Sequence, residues 1–140
     1  MKVFLDANII VDFLDKPSYD NKSASEVLRI VRLIGRPVFI SPTTFAIVYY
    51  IFTKRNRQVK NIKEILKDFF SEFEFTTENE SVMEQVLSSD FDDLEDALQY
   101  YSAKFAGIEL IITKNKKDFL NAKNLLVLHP LEFIEMHYSS

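Results

Sequence analysis

Short runs of mainly apolar residues recur along the chain, and each has the length of a buried β-strand. They cover residues 3–5, 37–40, 108–112 and 125–128, and a shorter run covers residues 73–75. Because the apolar positions are largely continuous rather than alternating, they are typical of parallel strands covered on both faces by helices. The pattern therefore predicts a parallel sheet of four or five strands.

Between these runs, apolar residues recur at the spacing that places them on one face of a helix. One stripe contains Ala24, Val27, Leu28, Val31 and Ile34, and another contains Leu94, Ala97, Leu98, Tyr101 and Phe105. Gly35 and Gly107, the only glycines in the sequence, follow these stripes directly, as glycines do at helix C-termini. A further helical segment is predicted over about residues 54–70, with basic residues on one face. Alternating strands and helices predict a three-layer α/β/α fold with a central parallel sheet, in which residues 1–140 form a single domain.

The composition excludes several kinds of site. Hydrophobic residues make up 47% of the 140 positions, enough for a substantial core. The chain has no cysteine, which excludes disulfides and thiolate metal sites, and its two histidines, His129 and His137, argue against a His-rich zinc site. The 17 Lys and Arg residues against 21 Asp and Glu give a net charge of −4, so nucleic-acid binding would need local basic patches.

The sequence contains no recognisable membrane anchor or secretion signal. The first apolar run ends at Asp6 after only three apolar residues, which is too short for the core of a signal peptide. No run approaches the roughly 20 apolar residues that a membrane-spanning helix needs. We therefore expect a soluble, cytoplasmic protein.

Acidic residues stand where predicted strands end or helices begin. Asp6 directly follows the first strand and opens a helix-like segment at residues 6–14. It is either the N-cap of that helix or a ligand for a divalent metal ion. The carboxyl ends of parallel strands lie along one edge of the sheet, where ligands bind in folds of this kind. The position of Asp6 is therefore compatible with a functional site.

A denser acidic cluster precedes the second apolar stripe. Residues 90–96 include five acids, Asp90, Asp92, Asp93, Glu95 and Asp96. Asp93 as an N-cap with Asp96 three residues later resembles a capping box, and acids are favourable at a helix N-terminus. Fewer acids would be enough to cap and stabilise the helix N-terminus. In addition, Asp92 and Asp93 lie within one helical turn of Asp96 and repel it. A bound cation would relieve this repulsion.

A third polar segment follows the predicted strand at residues 108–112 and, taken alone, could be a surface turn. It carries oxygen ligands on Thr113, Asn115 and Asp118, interspersed with Lys114, Lys116 and Lys117. Three segments thus deliver carboxylates to one edge of the predicted sheet. Carboxylates without His or Cys favour a hard cation such as Mg²⁺ or Mn²⁺, and neighbouring lysines suit a polyanionic substrate. Together these features indicate metal-dependent phosphoryl chemistry.

In order and spacing, these segments resemble the PIN-domain ribonuclease family, which includes the VapC-type toxins of toxin–antitoxin pairs. Residues 3–8 resemble the family's first strand with its catalytic Asp and the following Asn. Residues 96–103 resemble its helix with an Asp before small residues, and residues 111–119 resemble its late strand, Thr-basic-Asn turn and Asp-Phe pair. The resemblance extends over residues 1–130.

The resemblance implies an endoribonuclease that depends on a divalent metal ion. It implies that Asp6, Asp96 and Asp118 hold Mg²⁺ or Mn²⁺ and that water attacks the phosphodiester in line, with no covalent enzyme intermediate. The other implied site residues are Asp93 and Glu95, which would assist metal binding, and Thr113 and Asn115, which would orient water or phosphate. The choice of RNA over DNA comes from the resemblance alone.

Two basic segments are candidates for binding the RNA backbone. They are Lys54, Arg55 and Arg57, and the three lysines Lys114, Lys116 and Lys117. For the first segment the alternative is a solvated helix face. The resemblance also implies a small antitoxin partner, as in a type II pair, and a homodimer. A homodimer suits residues 45–52, which are apolar on every helical face and need cover beyond the sheet.

The sequence departs from the family pattern in the helix after the second predicted strand. The family commonly has an acid there, whereas this chain has Ile47, and residues 41–50 contain no acid. This favours an alternative function, in which a weakened or inactive PIN-like domain acts by binding RNA or protein. Asp12 stays an open candidate, because six residues from Asp6 is not the same helix face. A phosphatase with an Asp nucleophile is a weaker alternative, since Asn8 stands where that chemistry usually has a second Asp.

Overall fold

The computed structural model describes residues 1–35, 37–119 and 124–139. Its strands are β1 (Val3–Leu5), β2 (Val38–Ile40), β3 (Glu74–Phe75), β4 (Leu110–Ile112) and β5 (Leu126–Leu128). Its helices are α1 (Ala7–Leu14), α2 (Asn21–Leu33), α3 (Pro42–Arg55), α4 (Ile62–Phe70), α5 (Glu80–Leu87), α6 (Leu94–Phe105) and α7 (Pro130–Ser139). A short 3-10 helix spans Lys116–Phe119.

The five strands form one sheet in the order β3-β2-β1-β4-β5, and every neighbouring pair is parallel. Successive side chains point to opposite faces of the sheet. Leu5 and Ile112 therefore pack on one side with α1, α2, α3, α4 and α7. Phe4 and Ile111 pack on the other side with α6, which α5 covers from outside. This arrangement confirms the predicted three-layer α/β/α fold and its parallel sheet.

Both glycines end helices, as the sequence predicts, and direct the chain into the strands on either side of β1. Gly35 follows α2 with a φ of 64°, and Gly107 follows α6 with a φ of 74°. Glycine adopts this left-handed conformation without the steric cost that a Cβ atom brings. The strands that follow are β2 and β4, which both pair with β1.

The prediction of one helix over residues 54–70 is wrong, because the chain leaves the helical conformation at Asn56. Helix α3 ends at Arg55, and α4 begins only at Ile62. The side-chain amide of Asn56 donates to the carbonyl oxygen of Phe52 at 2.8 Å, which satisfies an acceptor at the end of α3. The basic residues of this region therefore lie on two helices and their connection rather than on one helical face.

Helix α3 is buried on one side only. Thr44 and Val48 face the core, whereas Tyr49 and Tyr50 are exposed. This leaves an aromatic face on α3 that the described residues do not cover. No helix within residues 1–35, 37–119 and 124–139 is long and apolar enough to cross a membrane.

Candidate active site

The centre of the site forms where β1 and β4 end side by side. The register pairs Leu5 with Ile112, so the next residues, Asp6 and Thr113, are neighbours. The backbone N–H of Asp6 donates to the carbonyl oxygen of Ile112 at 3.0 Å. The hydroxyl of Thr113 donates to Oδ2 of Asp6 at 2.6 Å. Asp6 occupies the N-cap position of α1 but makes no side-chain capping hydrogen bond, because Thr113 holds its carboxylate instead.

The turn after β4 is fixed to Asp6 through Asn8. The side-chain amide of Asn8 donates to Oδ2 of Asp6 at 3.1 Å, and its carbonyl oxygen accepts from the backbone N–H of Lys114 at 3.4 Å. The backbone N–H of Asn115 donates to the Thr113 hydroxyl at 3.1 Å. The Thr113–Asn115 turn and the start of α1 thus form one hydrogen-bonded unit around a single carboxylate oxygen.

Sequence reasoning missed a buried polar group on the other side of Asp6. Gln99 is only 1% exposed, and its side chain hydrogen-bonds to Asp6. The hydroxyl of Thr44, on α3, donates to Oε1 of Gln99 at 2.9 Å and sets the orientation of the amide. The available signal was spacing, because Gln99 follows Asp96 by three residues and so shares its face of α6.

The acids at the start of α6 serve two purposes. Oδ1 of Asp93 accepts from the backbone N–H groups of Glu95 and Asp96, at 2.8 Å and 3.3 Å. Asp93 is therefore the N-cap, as the capping interpretation predicted. Asp96 makes no such cap. It lines a cavity of about 310 Å³ together with Asp6, and a second cavity of about 230 Å³ together with Asp118. Asp96 thus lies between the other two predicted ligands.

The electrostatics of these acids reflect their proximity. Burial raises the pKa of Asp96 to about 7, and the charges of Asp93, Asp6, Asp118 and Glu95 add to the effect. Burial also raises the pKa of Asp6; hydrogen bonds from Thr113, Gln99 and the backbone of Ala7 oppose this rise, and the charge of Asp118 adds to it. Carboxylates crowded in this way carry a repulsion that a cation would relieve.

The donor set fits a hydrated hard cation better than a fully enclosed one. Within the described ranges, no three acidic or histidine side chains are arranged to hold an ion between them. Mg²⁺ keeps several of its waters and is bound by one or two carboxylates, and Mn²⁺ prefers the same oxygen ligands. The carboxylates of Asp6 and Asp96, with Asp118 nearby, suit that mode of binding.

Comparison with known proteins identifies the family. Residues 2–117 match the PIN domain. The chain belongs to the PIN-domain family. Ribonuclease VapC1 of Aquifex aeolicus (strain VF5) is 32% identical over 142 residues, which cover 96% of this chain and 94% of that protein. The resemblance inferred from the three sequence segments is therefore confirmed at the level of the family.

Solved structures show the same PIN fold. VapBC2 from Rickettsia felis, bound to a DNA fragment from its promoter, superposes with a TM-score of 0.69 at 19% identity and covers 92% of this chain and 98% of that one. A toxin–antitoxin complex from Klebsiella pneumoniae superposes with a TM-score of 0.67 at 22% identity, covering 91% and 97%. At these identities the similarity establishes the fold.

One wall of the acidic cleft of this PIN domain is apolar. Ile47 and Ile51, from α3, line the same cavity as Asp6 and Asp96, and Arg55 lies at its margin. The side chain of Ile47 therefore lines the cleft together with these acids, at the position where the family resemblance predicts a further carboxylate. The cleft is acidic on the side of α6 and offers no metal ligand from Ile47.

The lysines of the turn after β4 do not all face a substrate. The ammonium of Lys114 contacts Oδ2 of Asp12 at 2.5 Å and Oδ2 of Asp20 at 3.0 Å. Burial lowers the pKa of Lys114, but the hydrogen bonds with these two carboxylates raise it by a larger amount. The net effect is a pKa above the usual range. Lys116 is paired with Glu132 at 2.9 Å. The structure thus gives Asp12 a cationic partner, although Asp12 and Lys114 line the same cavity as Asp6.

The remaining basic candidates lie around the cleft. Arg55 contacts Asp15 at 3.3 Å in an exposed ion pair, which is a weak interaction in water. The ammonium of Lys54 lies 5.7 Å from the centre of the exposed Tyr50 ring. Arg57 lies in the connection between α3 and α4, and Lys117 lines the second acidic cavity beside Asp118.

Proposed function

We propose that this PIN domain is an endoribonuclease that depends on Mg²⁺ or Mn²⁺ and hydrolyses RNA phosphodiester bonds. The observation that supports it is the convergence of Asp6, Asp96 and Asp118 at one edge of the sheet, where their charges act on one another. The similarity to a relative named a ribonuclease supports the same reaction class.

The chain's own residues have distinct roles in this proposal. Asp6 and Asp96 would bind a hydrated ion through one or two carboxylates, with Asp118 nearby and Asp93 and Glu95 adding negative charge at its margin. When bound, such an ion would act as a Lewis acid and would lower the pKa of water at the site. Thr113 and Asn8 fix Oδ2 of Asp6, which leaves the orientation of this carboxylate independent of the ion.

The substrate would reach the cleft along its positively charged margin. Arg55 lines the first cavity and Lys117 lines the second, so each cavity has a basic residue beside its acids. Lys54 and Arg57 extend the positive charge at the end of α3. Asn115 is available to orient a phosphate oxygen, because it lines the same cavity as Asp6.

We further propose that the protein acts in the cytoplasm as the toxin of a type II pair and is bound by a small antitoxin. The structural neighbour from Klebsiella pneumoniae is a toxin–antitoxin complex, which supports a partner of this kind. A small adjacent open reading frame with a DNA-binding pattern would identify the partner and provide the protein for a binding experiment.

The function is tested by metal binding and cleavage on the wild-type protein. Mn²⁺ is expected to bind in calorimetry and to be required for endonucleolytic cleavage of a single-stranded RNA, with no cleavage in excess chelator. An RNA whose 2′-hydroxyls are replaced by hydrogen separates ribonuclease from general nuclease activity. Protein that neither binds Mn²⁺ nor cleaves any RNA would contradict the proposal.

A second candidate function is favoured by Ile47, which puts an apolar side chain in the wall of the acidic cleft. In that case the domain acts by binding RNA or protein without hydrolysis. RNA binding in a gel-shift experiment, together with absent Mn²⁺ binding and absent cleavage, would support this function over the first.

We predict that the protein forms a homodimer through the exposed face of α3. Tyr49 and Tyr50 are 47% and 65% exposed, and burying aromatic surface of this kind favours association. Light scattering at high micromolar concentration should give twice the chain mass of 16.4 kDa. Tyr50→Lys should shift the protein towards the monomer, whereas Tyr19→Lys, at a residue 98% exposed outside α3, should not. A monomeric wild-type protein would contradict the prediction.

A further inference from the structure

One ion-pair cluster lies at the acidic cleft, and two of its members line the cavity there, but it contains none of the predicted metal ligands. It consists of Lys114, Asp12 and Asp20, and we call it the Lys114 clamp. The ammonium of Lys114 contacts Oδ2 of Asp12 at 2.5 Å and Oδ2 of Asp20 at 3.0 Å. The side chains of Asp12 and Lys114 are 10% and 27% exposed. The Lys114–Asp12 pair is therefore largely shielded from water, whereas Asp20 is 40% exposed, similar to both partners of the Lys116–Glu132 pair.

The clamp joins three separate parts of the chain. Asp12 lies on α1, Asp20 lies just before α2, and Lys114 lies in the turn after β4. The hydroxyl of Ser18 donates to Oδ1 of Asp12 at 3.0 Å, so the second oxygen of that carboxylate is also engaged. Removing the ammonium would leave a largely buried carboxylate without its cation, which is strongly unfavourable. The geometry thus favours a Lys114 side chain that remains paired with Asp12 and Asp20.

The same turn carries the groups that hold Asp6. Thr113, immediately before Lys114, donates to Oδ2 of Asp6 at 2.6 Å. The backbone N–H of Lys114 donates to Asn8, which in turn donates to the same oxygen of Asp6. The clamp therefore fixes the side-chain end of Lys114 to α1, and these hydrogen bonds fix its backbone end to the start of α1.

We propose that Lys114 is a positioning residue: its ion pairs with Asp12 and Asp20 lock the Thr113–Asn115 turn so that Asp6 presents its carboxylate in one orientation. This proposal rests on the proposed ribonuclease function and replaces the expectation that Lys114 binds RNA phosphates. An ammonium shared by two carboxylates gives a cluster with a net charge of −1, which does not attract a phosphate.

The central experiment compares Lys114→Met with Lys114→Arg in the full-length protein. The Met variant keeps the length of the side chain but removes the charge, whereas Arg preserves the charge and can form both ion pairs. We expect Lys114→Met to lower kcat and the affinity for Mn²⁺ by about 10-fold or more, as the loss of groups that orient metal ligands does. KM for RNA should change less than twofold, and Lys114→Arg should recover most of the activity.

A phosphate-binding lysine would behave differently. Its loss would raise KM while kcat stayed constant, and it would reduce the salt dependence of RNA binding by about one unit of slope. Either result for Lys114→Met would overturn the proposal. Lys117→Met provides the contrast, because we expect it to raise KM. Lys104→Met, at an exposed position of α6, controls for the loss of a surface charge.

A double-mutant cycle tests the clamp itself. If Lys114 and Asp12 act as one unit, Lys114→Met and Asp12→Asn together should cost little more in kcat than either alone. Additive losses would mean that the two residues act separately and would overturn the proposal. Asp20→Asn removes the charge of the more exposed partner and should lower kcat by a smaller factor. This single variant tests the clamp even if the double variant does not fold.

Hydrogen exchange separates failure of the clamp from failure of the proposed function. The backbone N–H groups of Asn115 and Asp118 are hydrogen-bonded within the turn, to the Thr113 hydroxyl and the Asn115 carbonyl. We expect Lys114→Met to accelerate their exchange at least 10-fold, with or without nuclease activity in the wild-type protein. Unchanged exchange would overturn the clamp, whereas an inactive wild-type protein with accelerated exchange in the variant would overturn only the nuclease function.

Discussion

Replacing Asp96 by Asn is expected to reduce Mn²⁺-dependent cleavage of single-stranded RNA by about 100-fold or more while the protein stays folded. Asp96 lines both acidic cavities and is therefore the residue most central to the proposed ligand set. A bound metal ion supplies several kcal/mol of transition-state stabilisation, and each 1.36 kcal/mol corresponds to a factor of ten in rate. Initial rates on a defined oligonucleotide, with Mn²⁺ affinity measured on the same sample, test this expectation.

The same substitution should stabilise the metal-free protein, and the effect depends on pH. Because the pKa of Asp96 is raised to about 7 in the fold, the folded state binds this proton more tightly than the unfolded state. The free energy of unfolding therefore falls as the pH rises from the ordinary carboxyl range, about 4, to about 7. Asp96→Asn removes this loss of stability. The melting temperature of the variant should therefore exceed that of the wild type at pH 8 but not at pH 4.

If Asp96 served only as a favourable charge at the start of α6, the outcome would be opposite. The Asn variant would then lose some tenths to about 1 kcal/mol of stability through the weaker interaction with the helix dipole, with no effect on cleavage. Asp93→Asn is the matched comparison, because Asp93 makes the capping hydrogen bonds. A destabilised but fully active Asp96→Asn protein would contradict a metal-binding role for this residue.

Replacing Ile47 by Glu is expected to strengthen Mn²⁺ binding by about 10-fold or more. Ile47 lines the same cavity as Asp6 and Asp96, so the new carboxylate would face the existing acids. The number of charged ligands is one of the main determinants of affinity for a hard cation. Without metal, the added charge increases the repulsion, so the melting temperature of the variant should fall and should recover when Mn²⁺ is added.

Ile47→Gln is the control, because it has the size of Glu without the charge. It should lower the melting temperature slightly and leave Mn²⁺ affinity unchanged. Equal effects of Glu and Gln on Mn²⁺ binding would show that the cleft wall responds to polarity rather than to an additional ligand. That result would contradict the hypothesis that Ile47 weakens the site by replacing a carboxylate.

The parts of the fold that the sequence predicted are those specified locally. Short continuous apolar runs predicted β1, β2 and β4, because a strand buried on both faces needs no polar residue to interrupt it. The shorter run at β3 and the run at β5 also correspond to strands, although β3 is exposed and contains Glu74 and β5 is only partly buried. The two glycines located the ends of α2 and α6, since only the left-handed conformation after a helix requires them. The sequence does not predict the end of α3 at Asn56, because basic and apolar residues continue through residues 56–61. The end is marked in the structure by the hydrogen bond from the Asn56 side chain to the carbonyl oxygen of Phe52.

The predictable part of the site is the set of acids, because their position after a strand or before a helix is visible in the sequence. The groups that surround Asp6 are not, since they come from distant parts of the chain. Gln99 depends on Thr44, which lies 55 residues away, and Lys114 depends on Asp12 and Asp20 near the other end of the chain. The sequence alone therefore predicts substrate binding for Lys114, because its carboxylate partners are distant in the chain.

The pairing of β1 with β4 also has a consequence for the order of events during synthesis. The hydrogen bond between Thr113 and Asp6 joins residues 107 positions apart, and Asp118 lies further along still. A growing polypeptide emerges and begins to fold from its N-terminus, so Asp6 is present long before the segment that holds it. A nascent chain that ends before residue 110 lacks both β4, the strand that pairs with β1 beside Asp6, and the turn that orients Asp6. The site that we propose for RNA hydrolysis is therefore complete only after most of the protein has been synthesised.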